Sequence, residues 1–110
     1  MVQLTVQLPD RVAKKINPQS PWLAAVFELN LTGFHTLAAG TAAEVTRFLM
    51  KNPSAQEVMN FHVPEPAQTR LRRLLTLNEA GLLAESEQLE LDELEQIEHM
   101  IIMLKAQATD

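Results

Sequence analysis

Three arginines within four positions, Arg70, Arg72 and Arg73, form the densest group of chemistry-bearing side chains in the sequence. Guanidinium groups so placed can hold a phosphate or pair with carboxylates. Carboxylates follow directly: Glu85, Glu87, Glu90, Asp92, Glu93, Glu95 and Glu98. Wound into one helix, these acids distribute around its circumference with no loop to gather them, which predicts a solvated face rather than a metal site. Pairing with those acids across a helical hairpin is therefore the expected role of the arginines.

The other reactive residue types are scattered. His35, His62 and His99 fall on separate predicted elements, without the His-x-x-x-His spacing that holds a metal. Ser20 and Ser54 stand where helix caps belong, and Ser86 has no nucleophile-elbow context. The three glycines are too dispersed to cradle a phosphate, and zero cysteines exclude disulfides and thiolate ligands. The expectation is a chain with no catalytic residue, no metal and no cofactor, hence not an enzyme.

The elements that would position binding residues begin with VQLTVQLP, residues 2–9. Apolar Val2, Leu4, Val6 and Leu8 alternate with polar Gln3, Thr5 and Gln7, the pattern of a half-buried strand. Downstream, only Phe34-His35-Thr36-Leu37 offers a short extended segment as an internal partner. A twin strand in a second chain, forming an intermolecular antiparallel ribbon, would satisfy the backbone more simply.

Helices follow. Pro9-Asp10 opens a short one reaching Ile16, which Asn17-Pro18 ends. Ser20-Pro21 opens a second, Trp22 to Leu31, apolar nearly all round and so expected to be buried, with Gly33 as its stop. Thr41-Ala42-Ala43-Glu44 and Ser54-Ala55-Gln56-Glu57 match capping boxes and predict helices at 41–51 and 54–61. From Pro66, Leu71, Leu74, Leu75 and Leu82 or Leu83 recur at helical spacing, with Gly81 marking the end. A last helix, 85–106, carries Leu91, Leu94, Ile97, Ile101 and Leu104 on one stripe. Its run Met100 to Leu104 is expected to be covered on more than one side. The short connection makes the last two helices an antiparallel hairpin. The fold class is thus mainly α: one short N-terminal strand, then five or six helices ending in a helical hairpin. The segments are 1–33 for dimerisation, 34–65 as short connecting helices, and 66–110 as an acidic hairpin.

With 110 residues, 46% hydrophobic and 21% charged, the chain has the size and composition of one folded domain. Its net charge of -5 is unevenly divided: residues 1–74 carry eight Lys or Arg against five acids, net +3, and residues 75–110 one Lys against nine acids, net -8. An acidic end of this kind could face a basic partner. No basic segment followed by an apolar run is visible, and no apolar stretch is long enough for a membrane span, so a soluble, cytoplasmic protein is expected.

The order of a strand, a short helix beginning at Leu8-Pro9-Asp10 and a second helix beginning at Ser20-Pro21 resembles the ribbon-helix-helix family over residues 2–32. That family comprises small dimeric DNA-binding proteins, many bacterial antitoxins among them. The resemblance implies that the ribbon enters the major groove. Gln3, Thr5 and Gln7 would then read base edges, while Lys14, Lys15 and the amides near Ser20 met phosphate. Val2, Leu4, Val6 and Leu8 would face the dimer. Trp22, Met100, Ile101, Met103 and Leu104 are further candidates for a dimer or partner interface. The stretches Leu77-Asn78-Glu79-Ala80-Gly81-Leu82-Leu83 and Glu90 to His99 resemble the tail of small bacterial proteins, especially cyanobacterial ones, several of which lie beside toxin or nuclease genes. That implies a partner-binding hairpin.

Two functions stay open on these grounds. One is an antitoxin-like homodimeric regulator of a toxin-antitoxin system, binding a basic protein partner, a toxin or a nuclease, and also DNA. The other is a non-enzymatic helical interaction or assembly module without nucleic-acid binding.

Overall fold

In a computed structural model, which describes residues 2–109, six α-helices follow one another among the described residues. They are α1 (Asp10–Ala13), α2 (Leu23–Leu31), α3 (Ala38–Met50), α4 (Ala55–Met59), α5 (Glu65–Glu79) and α6 (Glu85–Ala108). Several of their boundaries are set by local chemistry. At the start of α4 the capping box forms as expected: the Ser54 hydroxyl accepts from the Glu57 amide at 3.2 Å, and the Ser54 amide donates to Glu57 Oε1 at 3.1 Å. At the end of α5, Gly81 takes φ 71°. The Leu82 amide then reaches the Leu77 carbonyl at 2.9 Å and the Gly81 amide that of Asn78 at 3.0 Å, a Schellman closure that frees the chain to reverse. Asn52, in the left-handed region with φ 53°, ends α3, a conformation asparagine tolerates better than most residues.

The second capping box does not form. Helix α3 begins at Ala38, ahead of Thr41, because a better start lies upstream: the Thr36 hydroxyl accepts from the Ala38 amide at 3.1 Å. Thr41 and Glu44 are thereby absorbed into the helix.

The core is organised around α6, which packs against α2, α3, α4 and α5. Leu91, Ile97, Leu74, Leu49 and Val45 are essentially excluded from water, each contributing about 1.5–3 kcal/mol by burial. The α5–α6 hairpin is present, and α2 crosses onto α3, where the Asn30 side-chain amide donates to Thr46 Oγ1 at 3.2 Å. The Trp22 ring is buried, with its Nε1 donating to the Pro53 carbonyl at 2.7 Å. This bond fixes the start of α2 against the α3–α4 turn and satisfies the polar end of the indole. Phe48 and Phe61 stack obliquely, with centroids 4.3 Å apart, and close the far side.

Three expectations are corrected. The N-terminal strand, and with it the intermolecular ribbon, is not formed: residues 2–9 have no strand structure, and no strand occurs among the described residues. Alternation supplies an apolar face, but a strand also requires an edge to pair with, and the remainder of this chain is helical. The segment therefore lies in water, with Val2 86%, Leu4 85% and Val6 67% exposed. Second, α2 buries only Val26 and Leu29, while Phe27 and Leu31 face out. Third, the run at the end of α6 is covered on one side: Met100, Ile101 and Leu104 are buried, and Ile102 and Met103 are exposed. In both helices the 3.6-residue period turns some apolar positions away from the single core that the fold provides.

Candidate functional site

The polar chemistry of the molecule gathers at two carboxylates of α6 that the sequence placed on a solvated face. Glu93 is buried and reaches the loop before α3. It accepts from the His35 amide at 2.9 Å, the Thr36 amide at 3.0 Å and the Thr36 hydroxyl at 2.6 Å. Burial by itself would push this carboxyl up. The Thr36 hydroxyl and the two amides outweigh it, and the net effect holds Glu93 below the ordinary carboxylate value.

Glu90, one helical turn earlier, is also buried and receives Arg70 in a two-pronged contact, Nε to Oε2 at 2.8 Å and the terminal nitrogen to Oε1 at 3.0 Å. Glu87 stands at 3.9 Å from the same guanidinium. The hydrogen bonds to Glu90 raise the Arg70 pKa further, so the guanidinium stays charged. Arginine pairing across the hairpin is thus realised at Arg70. Arg72 donates instead to Thr69 Oγ1 at 3.3 Å. Both carboxylates hold the fold together. A signal for them was present, since the apolar stripe Leu94, Ile97, Ile101, Leu104 extends backward onto Glu90, and Glu93 falls on the adjoining row with Ile97 and Met100.

The residues singled out from sequence are dispersed by the fold. Gln3, Thr5 and Gln7 lie exposed on the N-terminal segment beside Val2, Leu4, Val6 and Leu8. Lys14 and Lys15 are exposed just after α1. The Ser20 hydroxyl is occupied locally, accepting from the Trp22 amide at 3.2 Å. Trp22, Met100, Ile101 and Leu104 lie in the core of the single chain, whereas Met103 is at the surface. His35, His62 and His99 are all exposed and far apart in the chain. Among the described residues there is no group of His, Cys, Asp or Glu side chains arranged to hold a metal ion, and no helix long and apolar enough to cross a membrane.

What the fold does assemble is an open hollow with both apolar and polar lining. Between α2 and the end of α6 lies a hollow of about 510 Å³, lined by Ala24, Glu28, His99, Met103, Leu104 and Ala106 among others. Alanines at 24 and 106 present only methyl groups, which leaves the space between the helices unfilled. Phe27 and Leu31 on α2 and Ile102 on α6 are further large apolar residues that the same two helices leave at the surface. Phe27 is 51%, Leu31 81%, Ile102 59% and Met103 58% exposed. Sequence reasoning placed Met103 among partner contacts but not Phe27 or Leu31, because a helix apolar all round gives no sign of which side the core will leave open. Comparison with protein-family models, with curated proteins and with solved structures finds no match to this chain.

Proposed function

We propose that the chain is a helical interaction module that works by binding protein through the apolar surface shared by α2 and the end of α6. The supporting observation is the hollow between these two helices with Met103 exposed on its lining, on helices that also leave Phe27, Leu31 and Ile102 in water. Large apolar side chains left in water on two adjoining helices are costly, and such surface favours an interaction role. Phe27 supplies rigid aromatic area and Met103 an adaptable, polarizable contact, both types enriched at interfaces. DNA recognition by a paired ribbon loses its structural support with the ribbon, so the module without nucleic-acid function is the reading carried forward.

The test is a photo-cross-linking amino acid placed at Met103 in the full chain inside its own cells, with the same group at exposed Gln56 on α4 as control. A discrete protein adduct at position 103 that disappears in Phe27→Asp supports the module. Equal, diffuse labelling from both positions removes it.

A further inference from the structure

A second hollow, of about 300 Å³, lies where the α4–α5 turn and α5 meet α6, on a different face of α6 from the hollow against α2. Phe61, Val63, Leu71 and Ile101 supply its apolar lining, and His62, Gln68, Arg72, Glu98 and Lys105 its polar lining. We infer that this hollow binds a small zwitterion, an α-amino acid with an aliphatic side chain. Its carboxylate is taken by Arg72, Lys105 and His62, and its ammonium by Glu98 and Gln68. The site is separate from the protein-binding surface proposed above and does not rest on it.

Placement is the first argument. Gln68, Leu71 and Arg72 stand at i, i+3 and i+4 on α5, and Glu98, Ile101 and Lys105 at i, i+3 and i+7 on α6. Each helix therefore turns one face to the hollow, and the α4–α5 turn adds Phe61, His62 and Val63.

Unpaired charge is the second. Elsewhere on α6 the buried carboxylates are matched, Glu90 by Arg70 and Glu93 by the loop before α3. Around this hollow the charges are left open. Glu98 and Lys105 are half-buried, yet among the described residues neither side chain makes a hydrogen bond or an ion pair. The His62 ring makes none either, and Arg72 commits one donor, to Thr69 Oγ1 at 3.3 Å, of the five its guanidinium carries. Lys105 is also the only Lys or Arg of residues 75–110, against nine acids. Charges drawn partly out of water without partners are costly, and a ligand that pairs them recovers that cost.

The mixture of signs selects the ligand. A plain anion meets repulsion from Glu98, and a plain cation meets it from Arg72 and Lys105; a zwitterion satisfies both. A planar carboxylate also matches the guanidinium fork. The Gln68 side-chain amide is fixed by its Nε2, which donates to the Val63 carbonyl at 2.8 Å, so its Oε1 remains as a second acceptor for the ammonium. The volume is at the small end of ligand sites, which span about 300–1,000 Å³, and suits one amino acid whose side chain rests on the apolar lining.

Titration of the full chain with L-leucine, followed by amide NMR shifts, tests the site. Saturable shifts confined to the α4–α5 turn and the facing turns of α5 and α6 are expected. N-acetyl-leucine, which lacks the cation, and leucinamide, which lacks the carboxylate, should each bind about tenfold more weakly, the loss of one charged hydrogen bond. Arg72→Gln should weaken leucine by a similar factor. Glu98→Gln should remove the preference for leucine over N-acetyl-leucine while circular dichroism and the melting temperature stay those of the parent, since the carboxylate has no partner in the fold. No saturable shift at tens of millimolar leucine, a parent that binds N-acetyl-leucine as well as leucine, or inorganic phosphate binding at the same residues as tightly as leucine overturns the assignment; the last result would leave an anion site only.

Discussion

Residues 85–108 and residues 2–21 are both well supplied with aliphatic side chains, yet the first stretch buries a continuous stripe and the second buries nothing. The difference lies in what surrounds them. Helix α6 repeats its apolar positions at the helical period, and four other helices receive them. The N-terminal segment repeats its own at period two, and the fold contains no sheet to accept that period among the described residues. Burial is a property of a matched pair of surfaces, and hydrophobicity supplies only half of it.

The sharpest way to break the contrast is to damage α6. Ile97→Ala should cost about 2–5 kcal/mol in a urea titration, since a fully buried side chain leaves a cavity that the packed helices cannot close. Glu93→Ala should come next, at about 2–4 kcal/mol, because it strands the His35 and Thr36 amides and the Thr36 hydroxyl. This carboxylate also sets a pH dependence. Its folded pKa lies below its unfolded one, so its contribution is complete above about pH 5 and is lost as pH falls through the ordinary carboxylate range towards the lowered value. Glu93→Gln should flatten that part of the acid-unfolding curve, and an unchanged acid limb would show that other groups control it.

Arg70→Ala should cost about 1–3 kcal/mol, less than a wholly buried pair would, since the arginine side chain is 34% exposed. Adding Glu90→Leu should return most of this, as the buried carboxylate is then no longer left alone. Failure of the second change to restore stability would mean that Glu90 has a use beyond its partner. The smallest effect belongs to the other region. Leu4→Ser, measured in dilute solution, should shift stability by less than about 0.5 kcal/mol, in keeping with a side chain in water.

Much of the helical fold was legible in the sequence because its signals are local. The Ser54 box, the Gly81 stop and the stripe along α6 each depend on residues within a few positions of one another. Features set by distant neighbours leave no such local signal. The alternation of residues 2–8 says strand, but whether a strand forms is decided by a neighbour elsewhere. Thr41 and Glu44 have the right spacing for a cap, yet the start of α3 was settled by Thr36 and a carboxylate on the last helix. For the candidate surface, Met103 was marked and Phe27 and Leu31 were not, since helix orientation emerges only when α2 docks on α3 and α6. The spacing of the α6 acids predicts one wet face, yet two of them, Glu90 and Glu93, lie where the apolar rows continue and are buried.

The contact between Glu93 and the loop before α3 also orders events in time. Thr36 and Glu93 are 57 residues apart. At a synthesis rate of about 5–20 residues per second, the amides at the start of α3 leave the ribosome roughly 3–11 seconds before the carboxylate that will hold them. Throughout that interval the loop and the first turn of α3 rely on the Thr36 hydroxyl and on water. The last helix to be made therefore closes the third, and a nascent chain that stops short of Glu93 is one in which this joint stays open.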